Sequence, residues 1–214
     1  MKSTKIILID YGIGNLLSVQ RAFEQVGYQI EITSDPILIM QADKLVLPGV
    51  GAFNKAMKAM LSLNLTDHIQ EFAKMKRPIL GICLGMQLLF DSSEENGNTK
   101  GLGLISGKVL PIKDYLREGI KVPHIGWQEL QMSKEFGSHK PSILSGINSS
   151  DNFYFVHSYI ADIEDKSIQA AHCAYGGKEI PAVVAHGNIM GCQFHPEKSG
   201  KSGLKIIKNF CEKS

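Results

Sequence analysis

From the amino end, runs of four or five apolar residues alternate with stretches whose apolar positions recur every three to four residues. Lys5 to Ile9 and Pro78 to Ile82 are runs of the first kind and predict buried strands, and Ile30 to Thr33 and Lys44 to Leu47 predict two further short strands of a parallel sheet. Between them, Leu16, Val19, Phe23 and Val26 fall at helical spacing, and Gly27 closes that segment. Phe53 to Leu61 predicts a second helix. Thr66 is placed to cap a third, which carries Ile69, Phe72 and Ala73 on one face. Leu84 to Phe90 predicts the first turns of a helix directly after the fourth strand, and residues 92 to 100 a polar surface loop.

Beyond that loop the pattern changes. Leu102 to Ile105, Lys108 to Ile112, Trp127 to Met132, Asn152 to Ile160, Ser167 to Tyr175, Ala182 to His186 and Ile189 to Phe194 all predict strands. Turns are expected at Gly101, Gly103, Gly107, Gly176-Gly177 and Gly187-Asn188, the last joining two apolar runs as a hairpin. Ser202 to Glu212 predicts a closing amphipathic helix. The whole implies an α/β fold: a largely parallel central sheet flanked by helices, with additional antiparallel strands in the C-terminal half. No repeat or linker divides it, so residues 1–214 are expected to form a single domain.

Composition narrows the classes. The net charge of +2 is too small to point to nucleic acid or a membrane surface, and no apolar run approaches the length of a signal peptide or a membrane span. The four cysteines, Cys83, Cys173, Cys192 and Cys211, lie far apart with no C-x-x-C pair. Zinc spacing is absent, a disulfide framework is not expected in a chain of this size, and the setting implied is reducing and cytoplasmic. No metal or cofactor is expected.

Candidate chemistry gathers at three stretches. Gly81 and Gly85 flank Cys83 at minus two and plus two, the spacing of a nucleophile elbow with sulfur in the nucleophile's place. A sharp strand-to-helix turn leaves no room for side chains beside the nucleophile, and the following helix start favours a thiolate. The alternative is an inert buried cysteine between two glycines. Pro48-Gly49-Val50-Gly51 follows the third strand; it either cradles an anion with unobstructed N–H groups or merely connects strand to helix. His195 and Glu197 stand two apart around Pro196, so on extended backbone both face one side, an imidazole with a carboxylate to orient it. His157 is the rival base. Asp10-Tyr11-Gly12-Ile13-Gly14-Asn15 carries only two glycines of a dinucleotide fingerprint, and a tight strand-to-helix turn suffices to explain it.

Gly-Ile-Cys-Leu-Gly-Met-Gln at 81–87 with Gln-Phe-His-Pro-Glu at 193–197 resembles the class I glutamine amidotransferases, which use a Cys-His-Glu triad on a flavodoxin-like fold. Asp10 to Asn15, Leu47 to Phe53, Pro123 to Trp127, Tyr154 to Tyr159 and Gln193 to Ser199 follow in order along the chain. That succession is similar to the glutaminase subunits of imidazole glycerol phosphate synthase; Gln128, where those usually carry Asn, departs from it. The resemblance implies that Cys83 attacks the amide of L-glutamine, that His195 moves the protons and that Glu197 orients His195. It implies an oxyanion hole from Val50, Gly51 and Leu84, and glutamine recognition at Gly49, Gly51, Gln87, His157, Ser158 and Tyr159. Its partner would be a (β/α)8-barrel cyclase, HisF-type, in a heterodimer over Asn15, Trp127 and Lys198. That partner would turn the ammonia into imidazole glycerol phosphate and an aminoimidazole carboxamide ribonucleotide (AICAR). Two other readings stay open at this level: a paralogous glutaminase subunit feeding a barrel synthase that amidinates a surface sugar, and a non-catalytic binding subunit.

Overall fold

The computed structural model describes residues 4–136 and 141–213. Its first half runs β1 (Ile6–Ile9), α1 (Leu16–Gln25), β2 (Ile30–Thr33), α2 (Pro36–Met40), β3 (Lys44–Leu47), α3 (Phe53–Ser62), α4 (Leu65–Lys74), β4 (Ile79–Ile82) and α5 (Leu84–Leu88). Strands β1, β3 and β4 are four residues long and buried along their length, as continuous apolar runs require. Then follow β5 (Phe90–Ser93), β6 (Thr99–Lys100), β7 (Ile105–Pro111), β8 (His124–Glu129), β9 (Gln131–Met132), β10 (Asn152–His157) and β11 (Tyr159–Ile163). β12 (Gln169–Tyr175), β13 (Lys178–His186), β14 (Ile189–Cys192) and α6 (Gly200–Lys213) complete the chain.

Eight strands form the main sheet in the order β2-β1-β3-β4-β14-β13-β12-β9. The pairings from β2 through β14 are parallel, and those from β14 to β9 antiparallel. The α/β architecture expected of the sequence is the one observed. Alternation along the strands sends Ile6, Leu8, Val46 and Leu80 to one face with Phe23 and Phe210, and Ile7, Ile9, Leu45 and Ile79 to the other with Phe53 and Phe72. Two smaller sheets, β10-β8 and β11-β7-β5-β6, stand beside the main one.

Several local expectations are corrected. Residues 92 to 100 are not simply a polar surface loop: β5 and β6 pair there, Ser93 is fully buried, and β5 also runs parallel to β7. Leu102 to Ile105 is not a strand until its last residue, and Gly107 lies inside β7 rather than in a turn. A Cβ there would press on the Asp162 carbonyl of paired β11, so close strand approach explains that glycine. The run 152 to 160 breaks at Ser158 into β10 and β11, which join different sheets. Thr66 lies within α4, whose N-cap is the left-handed Asn64. The hairpin at Gly187-Asn188 forms as expected, with His186 paired to Ile189 and Gly187 at φ +58°.

β4 sits between β3 and β14, with Leu47 opposite Gly81 and Cys192 opposite Ile82. The segments that leave β1, β3, β4 and β14 therefore converge on one edge of the sheet, at the strands' carboxyl ends.

Candidate active site

Cys83 is the first residue beyond β4 and the N-cap of α5, at φ 52° and ψ −109°. A non-glycine residue there stores strain of roughly 1–3 kcal/mol, which its surroundings must over-determine. They do: the Cys83 N–H donates to the Cys192 carbonyl at 2.8 Å, and the Gln87 N–H to the Cys83 carbonyl at 3.2 Å. The flanking glycines are steric requirements. A Cβ on Gly85 would overlap the Leu47 carbonyl, and one on Gly81 would lie 2.7 Å from the Gly85 carbonyl oxygen and from Met86 N and Cα. The helix after the sulfur is only five residues long and its dipole is correspondingly small.

His195 follows β14 and is 2 % exposed. Its Nδ1 meets Glu197 Oε1 at 2.7 Å, both side chains being almost fully buried. Its Nε2 is buried without a hydrogen-bond partner among the described residues. Burial disfavours the charged ring, but the side-chain interactions with Cys83 and Glu197 outweigh it and raise the imidazole to about 10. Such a ring carries a proton at neutral pH. His157, the rival base, has both nitrogens engaged. Nδ1 meets the Tyr159 carbonyl at 2.9 Å and Nε2 meets His124 Nδ1 at 2.9 Å. The carbonyl can only accept, so Nδ1 carries the proton and Nε2 accepts from His124. Burial, with the neighbouring His124, pushes His157 down to about 3, so it has neither a free lone pair nor a tendency to take a proton.

A pocket of about 350 Å³ opens over the sulfur, lined by Val50, Gly51, Cys83, Leu84, Gln87, Glu95, Pro123, Val156, His157, Ser158, Tyr159 and His195. Besides Cys83 and His195 it brings together seven of the expected site residues. Val50, Gly51 and Leu84 are the expected anion donors, with Gly51 at φ +92°. Gln87 donates to the Tyr159 carbonyl at 3.0 Å and to Gln193 Oε1 at 2.9 Å. His157 lines the wall, and Ser158 and Tyr159 form the break between β10 and β11. Gly49 does not line the pocket. It packs beneath it, where a Cβ would come within 2.7 Å of Leu84 Cβ.

Four further residues belong to the site that the sequence does not single out for it. Glu95 is the one carboxylate lining the pocket among the described residues, fixed by accepting from the Phe53 N–H at 2.7 Å. Gln193 Nε2 donates to Cys83 Sγ at 3.7 Å. His124 supports His157 and stacks on Phe155 and Tyr175, at 5.1 and 3.9 Å between ring centroids. Tyr11 donates to the Pro48 carbonyl. Gln193, His124 and Tyr11 lie inside stretches that carry the family resemblance, but no spacing signals the contacts that join them to the site. Glu95 lies in none of those stretches.

Of the residues expected at a partner surface, Asn15 caps α1 and is exposed, Lys198 is exposed on the turn Pro196–Lys198, and Trp127 is 54 % exposed. Trp127 is not a core aromatic. It lies opposite Tyr154 on the β8–β10 ribbon, with ring centroids 5.7 Å apart, and Ile125 lies opposite Val156 on the same face. That apolar face runs up to the pocket rim at Val156.

The four cysteines are free, and among the described residues no cluster fit for a metal and no helix long and apolar enough to cross a membrane occurs. The family described as "Glutamine amidotransferase class-I" matches residues 7–214. The imidazole glycerol phosphate synthase subunit HisH of Lactococcus lactis is 48 % identical over 208 residues, covering 97 % of this chain and 98 % of that one. The subunit of the same name from Syntrophotalea carbinolica is 46 % identical over 208 residues, covering 96 % and 98 %. Among solved structures, the PurLQS structure from Thermotoga maritima superposes with a TM-score of 0.73 at 18 % identity, covering 98 % of each chain. A glutamine amidotransferase from Thermotoga maritima gives 0.60 at 16 %, covering 92 % of this chain and 77 % of that one. At those identities the structures speak for the fold.

Proposed function

The chain belongs to the class I glutamine amidotransferases, and on that premise we propose the chemistry of its site and its place in a complex. It is the glutaminase subunit of an imidazole glycerol phosphate synthase, in histidine biosynthesis, as its full-length relatives at 44–48 % identity support. The observation that carries the chemistry is the strained Cys83 in one pocket with a carboxylate-held His195.

The Cys83 thiolate attacks the side-chain amide carbon of glutamine. The oxygen becomes an anion, met by the Leu84 N–H and a donor from Val50 or Gly51. His195 delivers its Nε2 proton to the leaving nitrogen, ammonia departs, and a thioester remains. Water, deprotonated by the same nitrogen, adds to the thioester, and glutamate leaves as the thiolate is restored. Glu197 holds the ring in the tautomer that aims Nε2 at the sulfur. Glu95 offers the α-ammonium of glutamine a counter-charge inside the pocket.

The ammonia needs an acceptor, and free ammonia in water is protonated and diluted. A (β/α)8-barrel cyclase docking over Asn15, Trp127 and Lys198 would receive it under cover, the apolar β8–β10 face lying beside the pocket. Gly51, at positive φ, lets the Val50–Gly51 segment turn an N–H into or out of the hole, so docking can switch catalysis on.

Ammonia release from glutamine, with and without the purified barrel and its nucleotide ligand, tests this. The complex should turn over at least about 100-fold faster than the isolated glutaminase, the size of one oxyanion donor. Cys83→Ala should abolish release in both. Equal rates with and without the barrel would end the switching proposal, and activity surviving in Cys83→Ala would end the thiolate mechanism. Trp127→Ala should weaken barrel affinity by about 10–100-fold, as for a truncated aromatic anchor. Unchanged affinity removes it from the interface.

A further inference from the structure

We propose that Tyr11 is a positioning residue for the Pro48–Gly51 segment: its buried hydroxyl tethers the Pro48 carbonyl and confines the segment's movement to the peptides beyond Gly49. The inference rests on the glutaminase reading of the pocket and assigns a residue to its control. Tyr11 leaves β1 at the sheet edge where β3 delivers Pro48, β1 and β3 being paired neighbours. Its ring is 2 % exposed, and its hydroxyl donates to the Pro48 oxygen at 2.5 Å. Burial, with the charge of Cys83, pushes the phenol well above its ordinary range, so it remains a donor.

The next residue is clamped by the same group. A Cβ on Gly49 would stand 2.8 Å from Tyr11 Oη, 2.7 Å from Leu84 Cβ and 2.9 Å from Gly85 N. The Pro48 ring in turn lies against Gly14, where an added Cβ would come within 3.7 Å of it. Two residues on, the constraint is gone. Gly51 sits at φ +92° with open space around it, its nearest neighbour being Ile13 Cγ2 at 3.9 Å from an added Cβ. The segment is fixed at one end and free at the other. A peptide that rotates to present an N–H can then do so without disturbing Leu84, the other donor.

Without the hydroxyl, forming the oxyanion hole must also order the Pro48–Gly49 peptide. Ordering one residue's backbone corresponds to about a 10-fold loss in kcat. The hole acts on the transition state, so KM should change less than about 2-fold. The experiment compares Tyr11→Phe with wild type, each in complex with the barrel partner, for kcat and KM with glutamine and for alkylation of Cys83 by iodoacetamide. A kcat-selective loss with an unchanged alkylation rate is expected. If the wild-type complex itself releases no ammonia, the glutaminase reading fails. If wild type is active and Tyr11→Phe matches its kcat, or loses kcat and alkylation alike, the tether is overturned. Should Tyr11→Phe not fold, amide hydrogen exchange in the wild-type protein decides. The Gly49 N–H should exchange at least about 10-fold more slowly than those of Val50 and Gly51, and equal rates overturn the proposal.

Discussion

Cys83 and Glu197 together keep a proton on His195 into the alkaline range. The ring is raised to about 10 against its own burial by Cys83 and Glu197. A thiolate–imidazolium pair loses its acid when the ring deprotonates, so kcat/KM should fall as pH rises through that value. Glu197→Gln removes one of the two anions and should draw this alkaline limb down by about 1–3 pH units, the span for losing a contacting opposite charge. A pH–rate profile with its upper limb unmoved would show that Glu197 acts only as a spacer. Glu95→Gln keeps an acceptor for the Phe53 N–H but removes the charge; KM for glutamine should rise about 10-fold with kcat within about 2-fold. An unmoved KM puts the α-ammonium elsewhere. Cys83, His195 and Glu197, the proposed nucleophile, base and carboxylate, could be singled out in the sequence because each sits in a short motif whose spacing reflects local backbone geometry. Glu95 was not, since it lies in a polar stretch and gains its role only by folding back onto the start of α3. The part played by Tyr11 was hidden for the same kind of reason: its meaning lies in a contact with Pro48, thirty-seven positions away.

The elbow carries its constraint in its glycines. Gly85 is helical and its conformation is open to any residue, so propensity alone favours alanine there. The added methyl would nonetheless overlap the Leu47 carbonyl, a backbone atom of the neighbouring strand that cannot rotate away. Gly85→Ala should therefore separate β3 from α5 and cost at least about 3 kcal/mol, the upper part of the range for overpacking. Its unfolding midpoint in urea should fall by more than about 1 M, given typical slopes. A stable, active Gly85→Ala would mean that the strand and helix have slack. Strands β1, β3 and β4 were readable within a residue of their ends because buried strands are continuous apolar runs. The segment from 90 to 111 was not, because β5 and β6 are short and half-polar. Polar residues there predict solvent, yet Ser93 is buried. The break at Ser158 was likewise invisible: residues 152 to 160 are apolar enough for one strand, and only the division between two sheets, with His157 turned to His124, splits it.

At the scale of the molecule, the class of fold was readable and the strand order was not. Alternating runs imply a parallel sheet, but nothing in the sequence says that β14 inserts beside β4 and so carries His195 across more than a hundred residues to Cys83. Two other buried histidines, on the β8–β10 ribbon, give the whole molecule a pH dependence. His124 is fully buried and pushed down to about 4 by burial. His157 is pushed down to about 3 by burial and by His124. Both stay neutral in the folded chain through the range in which the unfolded chain, with histidines near ~6.5, takes up protons. The unfolded state then binds more protons than the folded one, so stability is complete above about pH 6.5 and is lost progressively as pH falls toward the folded values. Carboxylates add their own acid loss, so the test is a difference of slopes. His124→Phe retains a ring between Phe155 and Tyr175 and removes one titrating group. Between pH 6 and 4.5 its unfolding free energy should fall less steeply than wild type's by up to about 1.4 kcal/mol per pH unit, one proton's worth. Its midpoint at pH 7.5 should be lower, because His157 Nε2 loses its donor. Parallel slopes from urea melts across that range would show that His124 is protonated in the folded chain, and the directed chain from His124 through His157 to the Tyr159 carbonyl would have to be redrawn.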